Sequence, residues 1–181
     1  MSDGIRAGGR EIHAGTDLGS DPVTWFGGQH AFLANPYPCL VMHDGLVFPS
    51  AEHAFHAAKS ADYQIRREIA RLGTWQEAKR TGRQLALRPG WDQLRRPVML
   101  QLVLDKFLRN PDLAGLLIAT GQRMLLEGNW WGDTDWGAVS ENHRSWSGSL
   151  PWWHHGGRVW AGYNWLGWTL MVVRDVLTLE C

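Results

Sequence analysis

Apolar positions change their spacing several times along the chain, and each change marks a predicted element. Two short apolar runs, Cys39-Leu40-Val41-Met42 and Leu46-Val47-Phe48, flank His43-Asp44-Gly45, the pattern of a β-hairpin turned at Asp-Gly. Ser50 follows as a helix N-cap with Glu52 in the first turn. This predicts a helix from Ala51 to about Ser60 and a second from about Asp62 to Leu72. Thr74-Trp75-Gln76-Glu77 has the spacing of a capping box, so another helix runs to about Leu87 and stops before Pro89-Gly90. A longer helix, about Gln93 to Arg109, repeats Val98, Leu102 and Phe107 at helical intervals and accepts Pro97 only in its first turn. Asn110-Pro111-Asp112 opens the next helix, which Gly121 closes, and Met124-Leu125-Leu126 fits a short strand. A last amphipathic helix spans about Trp165 to Leu177.

Two stretches lack periodicity. Residues 1–22, rich in Gly, Ser and Asp, are expected to form a flexible lead-in, and residues 138–161 a Trp-, Gly- and Ser-rich irregular segment. Strands and helices do not alternate and no repeat occurs, which excludes a Rossmann or barrel architecture. The expected fold class is mainly α (α+β): a compact helical domain over residues 23–181 with a small β-hairpin or sheet.

Composition narrows the function. The 181 residues carry 18 basic and 18 acidic side chains, a balance without the basic footprint of a protein that grips nucleic acid chiefly through phosphates. Cys39 and Cys181 are too few for a disulfide scaffold, and no CxxC pair offers a zinc site. No apolar run reaches the roughly 20 residues of a membrane helix, and the glycine-broken N-terminus lacks a signal-peptide core. A soluble, cytoplasmic protein without membrane contact is therefore expected. Walker A, GxGxxG, HExxH and GxSxG patterns are missing, and His53 and His56 have no third ligand at metal spacing, so neither metal nor cofactor is expected. Two biases remain. Only Lys59, Lys79 and Lys106 among the 18 basic residues are lysines, and nine of the 12 tryptophans fall between Trp130 and Trp168. A chain that defaults to arginine draws attention to its lysines, since lysine can lose its proton and act as a nucleophile.

Two clusters combine these features. Glu52, His56 and Lys59 follow an i, i+4, i+7 stripe, with Phe55 at its edge and Ala51, Ala54, Ala57 and Ala58 around it, the arrangement of a packed helix with one polar face on a cleft. From Glu127 to Gly137 the chain gathers three carboxylates, Asn129 and three indoles, too polar for a core and too aromatic for a solvated loop. Such a mixture suits a planar ligand, with indoles stacking on its faces and polar groups on its edges. A packed tryptophan-rich turn is the plainer alternative, and capping of the last helix alone accounts for Asn164.

The order and spacing of these segments resemble the NADAR superfamily, which includes the YbiA-type N-glycosidases. The similar segments are Leu33-Ala34-Asn35-Pro36-Tyr37-Pro38, Phe48 to Lys59, Ala78-Lys79-Arg80-Thr81-Gly82-Arg83, Trp91-Asp92, Met99, Lys106-Phe107, Thr120-Gly121, Glu127 to Gly137, and Gly162-Tyr163-Asn164-Trp165-Leu166-Gly167 through Leu170-Met171 to Arg174. All three lysines fall on these positions. The resemblance implies a mainly helical fold and hydrolysis of an N-glycosidic bond. Its substrates would be ADP-ribosylated guanine, in nucleic acid or nucleotides, or ribosylated pyrimidine intermediates of riboflavin biosynthesis. By motif, Glu52, Trp91, Asp133 and Trp136 look like the functional core, with Lys59, Asn35, Asn129 and Asn164 in support. Two departures stand out: Ala34 where the family usually has Ser, and the stretch from Val139 to Ala161, which looks like an insertion able to alter substrate fit.

Chemically, cleaving ribose from nitrogen needs a carboxylate to stabilise a developing cation and an acid to protonate the base. Glu52 and Asp133 are the expected pair, and Lys59 offers a Schiff-base route on the ring-opened sugar. Trp131 and Trp136 would stack on base or sugar, Trp91, Glu127 and Asn129 would contact substrate, and Lys79 and Arg83, one helical turn apart, would take phosphate. The competing class is a module that binds nucleotides or single-stranded DNA or RNA by stacking without turnover, against which the paired carboxylates speak.

Overall fold

The computed structural model describes residues 5–7, 10–12, 21–146, 149–155 and 158–179. Strands β1 (Ile5–Ala7) and β2 (Arg10–Ile12) pair antiparallel inside the segment expected to lack structure; the rest of that lead-in up to residue 20 lies outside the described residues. A short 3-10 helix, Gly28–Leu33, precedes the hairpin of β3 (Val41–His43) and β4 (Leu46–Phe48). Its turn falls where the sequence places it: Asp44 and Gly45 both have positive φ, 47° and 76°, as a type I′ connection requires.

Helix α1 (Ala51–Ala57) is buried along its whole length, with Ser50 Oγ accepting the His53 amide at 3.3 Å. It ends before the expected Ser60, because Ser60 Oγ accepts the Asp62 amide (3.0 Å) in a turn that opens α2 (Tyr63–Ala70). The capping box at Thr74 and Glu77 forms and starts α3 (Trp75–Gln84). That helix stops short of Leu87, and the Arg88 amide donates instead to the Lys59 carbonyl at 2.7 Å. Helix α4 (Trp91–Arg109) begins earlier than the sequence suggests, so Pro97 lies in its interior and not in the first turn. Pro97 and Gln93 are both exposed, and water can satisfy the Gln93 carbonyl that the missing amide leaves without an intrahelical partner. Helix α5 (Pro111–Ile118) carries proline at its first position.

The expected strand at 124–126 is reduced to a single parallel bridge between Val23 and Leu125. The stretch expected to be irregular instead forms a three-stranded antiparallel sheet, β5 (Val139–Ser140), β6 (Trp152–His155) and β7 (Arg158–Ala161), in the order β5-β7-β6. Buried Trp160 on β7 packs with Leu126 and Ala138 in a small second core, and residues 147, 148, 156 and 157 lie outside the described ones. Helix α6 (Trp165–Leu179) closes the fold.

Helix α1 packs against α2, α3 and α4, while α4 also packs against α5, α6 and β3. The main core runs through Leu33, Phe48, Ile69, Leu102, Phe107, Leu117, Leu166 and Leu170. Two buried cations are structural. Arg174 donates to Thr120 Oγ1 (2.9 Å) and the Arg123 carbonyl (2.8 Å), and Lys106 donates to the Ala34 carbonyl (2.9 Å). Among the described residues no helix is long and apolar enough to cross a membrane.

Candidate active site

A cavity of about 1010 Å³ opens between α1, α3, the segment 25–38 and the loop 127–137. Tight packing of α1 on α3 forms one wall. A Cβ at Gly82 would lie 2.3 Å from His56 Nδ1, so only glycine lets the imidazole rest on the α3 backbone. That places His56 Nε2 at 3.2 Å from Glu52 Oε1, and Lys79 Nζ at 3.5 Å from the same oxygen. A carboxylate only accepts, so the imidazole proton sits on Nε2. Burial opposes the charge on Glu52, but the hydrogen bond from His56, together with Lys79, outweighs it and holds the carboxyl below its ordinary range. Burial depresses His56 in turn, with Lys59 and Lys79 adding to the effect against Glu52, which favours neutral imidazole.

Lys59 lies beyond the end of α1, yet still lines the cavity, its ammonium 5.6 Å from the Phe55 ring centre. Burial lowers its pKa, Arg83 and Lys79 lower it further, and Glu52 partly offsets them. The Glu52 amide donates to the Asn35 carbonyl at 3.0 Å, tying α1 to the turn that presents Asn35. Asn35 Nδ2 meets Met99 Sδ at 3.4 Å, while its buried Oδ1 has no partner among the described residues.

The facing wall is the loop 127–137, which two asparagines hold. Asn129 Oδ1 accepts the amides of Gly132 (3.0 Å) and Asp133 (2.9 Å), and its Nδ2 donates to the carbonyls of Asp133 (2.7 Å) and Ala138 (3.1 Å). Asn164, fully buried with φ 51°, accepts the Glu127 amide and donates to the Leu125 carbonyl, both at 2.9 Å. Its side chain thus bonds across to the segment leading into the loop, while its carbonyl receives the Trp168 amide of α6 at 3.0 Å. Asp133 Oδ1 accepts the amides of Asp135 and Trp136 at 3.0 Å each. Asp135 anchors the loop to α4 through Arg95 (2.7 Å) and Arg96 (3.5 Å). Glu127 turns toward the cavity without a hydrogen-bond donor among the described residues; burial, then Asp133 and Glu52, push its carboxyl up to about 8, with Lys79 opposing.

Aromatic rings complete the enclosure. Phe55 contacts Trp91 (5.3 Å between centres) and Trp136 edge-on (5.4 Å). Trp130 and Trp131 pair edge-on at 5.1 Å and are 71% and 55% exposed at the rim, with Trp25 also exposed. Beyond Lys79 and Arg83 a shallower groove of about 350 Å³ continues along α3, adding Trp75, Gln76, Arg80 and Gln84.

The cavity therefore brings together Asn35, Glu52, Lys59, Lys79 and Arg83 with Glu127, Trp131, Asp133 and Trp136, as the sequence suggests. Three expected substrate contacts stand outside its lining: Trp91 behind Phe55, and Asn129 and Asn164 inside the loop's framework. His56 lines the cavity on the stripe the sequence shows, and Trp75 joins it without an expectation, though it too has a signal in the sequence. His56 sits four residues after Glu52, and Trp75 four before Lys79, whose ammonium lies 5.8 Å from the indole centre. Trp25, Tyr37 and Met99 reach the cavity from distant segments, which no local pattern reveals. Among the described residues no group of three His, Cys, Asp or Glu is placed to hold a metal ion.

A cavity that sets carboxylates opposite amines, with indoles at its mouth, defines a pocket for a ring system carrying a polar, anionic tail. Known proteins share this fold. Residues 20–178 match the NADAR domain model. The chain is 32% identical over 139 residues to the N-glycosidase YbiA of Escherichia coli, covering 76% of this chain and 75% of that protein. It is 34% identical over 151 residues to a riboflavin biosynthesis protein of Vibrio vulnificus, covering 82% of this chain but only 36% of the longer relative. The NMR structure of E. coli YbiA superposes with a TM-score of 0.69 at 27% identity, covering 89% of this chain and 87% of that one. The chain belongs to the NADAR family.

Proposed function

We propose that this protein is an N-glycosidase that removes ADP-ribose from ADP-ribosylated guanine in nucleic acid or nucleotides. The observation that carries the reading is a single cavity holding an ionised carboxylate, an amine without an ion-pair partner among the described residues, and stacking indoles, continuous with a basic groove. Glu52, kept charged by His56 and Lys79, stabilises positive charge developing at the anomeric carbon. Lys59 attacks that carbon in the ring-opened sugar, the base leaves with the electron pair of the C–N bond, and water hydrolyses the resulting lysine imine to free sugar. Asp133, bonded to its own loop, shapes that wall, and Trp136 with Phe55 bounds the sugar or base. Asn35 Oδ1 offers an acceptor to an N–H or O–H of the ligand.

The groove favours the larger substrate. Lys79, Arg80 and Arg83 on one exposed face of α3 suit a diphosphate, with Trp75 beside it for the second nucleoside. A flipped or single-stranded guanine needs little electrostatic footprint beyond the pocket, and the rim indoles can stack on its neighbours. A cytoplasmic setting fits such substrates. The second reading, hydrolysis of a ribosylamino-pyrimidine phosphate of riboflavin biosynthesis, draws support from the name of the Vibrio relative, which this chain matches over about a third of that protein's length.

Mass spectrometry of products from guanine-ADP-ribosylated DNA and from the ribosylamino-pyrimidine phosphate tests both, with Glu52→Ala and Asp133→Ala proteins as controls. Free ADP-ribose, lost in the variants, supports the first reading, and ribose 5-phosphate the second. Tight binding without release from either would leave a stacking module instead.

A further inference from the structure

We propose that Glu127 is the general acid of this site and protonates the departing base nitrogen. The proposal rests on the N-glycosidase reading above. Three carboxylates line the cavity, and the protein treats them differently. Glu52 meets His56 and Lys79, and Asp133 Oδ1 accepts two backbone amides, so both have hydrogen-bond or ion-pair partners. The Glu127 carboxyl has no donor among the described residues, although its backbone is fixed on both sides. Its amide donates to Asn164 Oδ1 at 2.9 Å and its carbonyl accepts the Ala138 amide at 3.0 Å. At the next residue a Cβ on Gly128 would lie 2.2 Å from the Thr24 carbonyl oxygen, so the chain has no room to retreat. The side chain is left to project into the pocket.

The charges facing it favour protonation. Asp133 from its own loop and Glu52 from α1 repel a third negative charge, and Lys79 from α3 opposes them only in part. His56, Lys59 and Arg83 complete the titratable wall across the cavity. Burial with the two carboxylates pushes the group to about 8, whereas Glu52 is moved the other way, so one cavity holds a carboxylate and a carboxylic acid together. During cleavage the electron pair of the C–N bond passes to nitrogen, and the Glu127 proton goes to that nitrogen, releasing a neutral base. Water adds its oxygen to the anomeric carbon and returns a proton to Glu127, which balances N-glycoside plus water against free sugar plus base.

The test compares wild type with Glu127→Gln, which keeps the shape but cannot transfer a proton. In wild type, kcat should fall as pH rises past about 8. Glu127→Gln should lose about 100-fold or more in kcat with little change in KM, and should lose that alkaline limb. Glu127→Asp should restore part of the rate. Infrared spectra of protein carrying 13C-labelled glutamate should show a carboxylic-acid C=O band at pH 7 that Glu127→Gln removes, a readout independent of turnover. A fully active Glu127→Gln, or no such band in wild type, overturns the role of Glu127. Wild type inert toward both substrates overturns the N-glycosidase reading itself, which the band does not depend on.

Discussion

Replacing Asn164 with alanine should cost the protein more than any other single polar truncation at the site. The side chain is fully buried and makes two hydrogen bonds of 2.9 Å to backbone groups of another segment. Removing it strands the Glu127 amide and the Leu125 carbonyl, each at about 1–3 kcal/mol when water cannot replace the partner. The backbone at φ 51° adds roughly 1 kcal/mol for a residue with Cβ that lacks the local hydrogen bonding of asparagine. A total of about 3–7 kcal/mol follows, or a fall in Tm of roughly 10–20 °C for a domain of this size. Urea unfolding at constant m and a thermal scan measure it. Asn164→Gly separates the contributions, since it relieves the backbone but still loses both hydrogen bonds, and it should recover about 1 kcal/mol. Asn164→Asp keeps an acceptor for Glu127 but sets a carboxylate oxygen against the Leu125 carbonyl, so it should resemble alanine. An alanine variant within about 0.5 kcal/mol of wild type, at unchanged m, would refute the clamp.

Three further outcomes are expected. Lys106 has a folded-state pKa of about 8 against an ordinary 10.5, so the unfolded chain binds more protons between those values. Stability should therefore rise with pH across that window relative to Lys106→Met, by about 3 kcal/mol, and parallel curves in paired unfolding experiments would contradict it. Gly82→Ala drives a methyl into the His56 ring, whose nearest atom stands 2.3 Å from the new Cβ. It should cost roughly 1–3 kcal/mol in denaturation and lower kcat/KM by displacing His56 from Glu52. Borohydride should trap substrate on wild type but not on Lys59→Ala, as read by intact mass; no adduct on either protein removes the imine route.

The helices were legible because their ends carry chemistry that acts locally: Ser50 and Thr74 cap them in the structure as their spacing suggests, and Asp62, expected only to stand near a helix start, caps α2. The stripe Glu52, His56, Lys59 was legible for the same reason, although α1 ends before Lys59 and the turn, not the helix, delivers the amine. What the sequence hid depends on distant segments. The sheet β5-β7-β6 escaped notice because its strands are only two to four residues long and sit among glycine and serine without sustained alternation. Pro97 inside α4 is tolerated because its face is solvated, a property of packing and not of the helix itself. Glu127 and Asp133 stand in one acidic, aromatic cluster, but Asp133 takes two amides of its own loop while the Glu127 carboxyl takes none among the described residues and faces the charges of Glu52 on α1 and Lys79 on α3, an arrangement only the folded chain creates.

The side chain of Asn129 stands in for a stretch of backbone, joining both ends of its loop from within. Trp130 and Trp131 project outside that internal frame, where no strand or helix constrains what they are. The exposed rim of the cavity therefore lies outside the hydrogen bonds that fix the carboxylate-bearing part of the loop. Exchanging those two indoles should retune which molecules enter while Glu127, Asp133 and Trp136 keep their positions, so that recognition and reactivity can drift independently within one short loop.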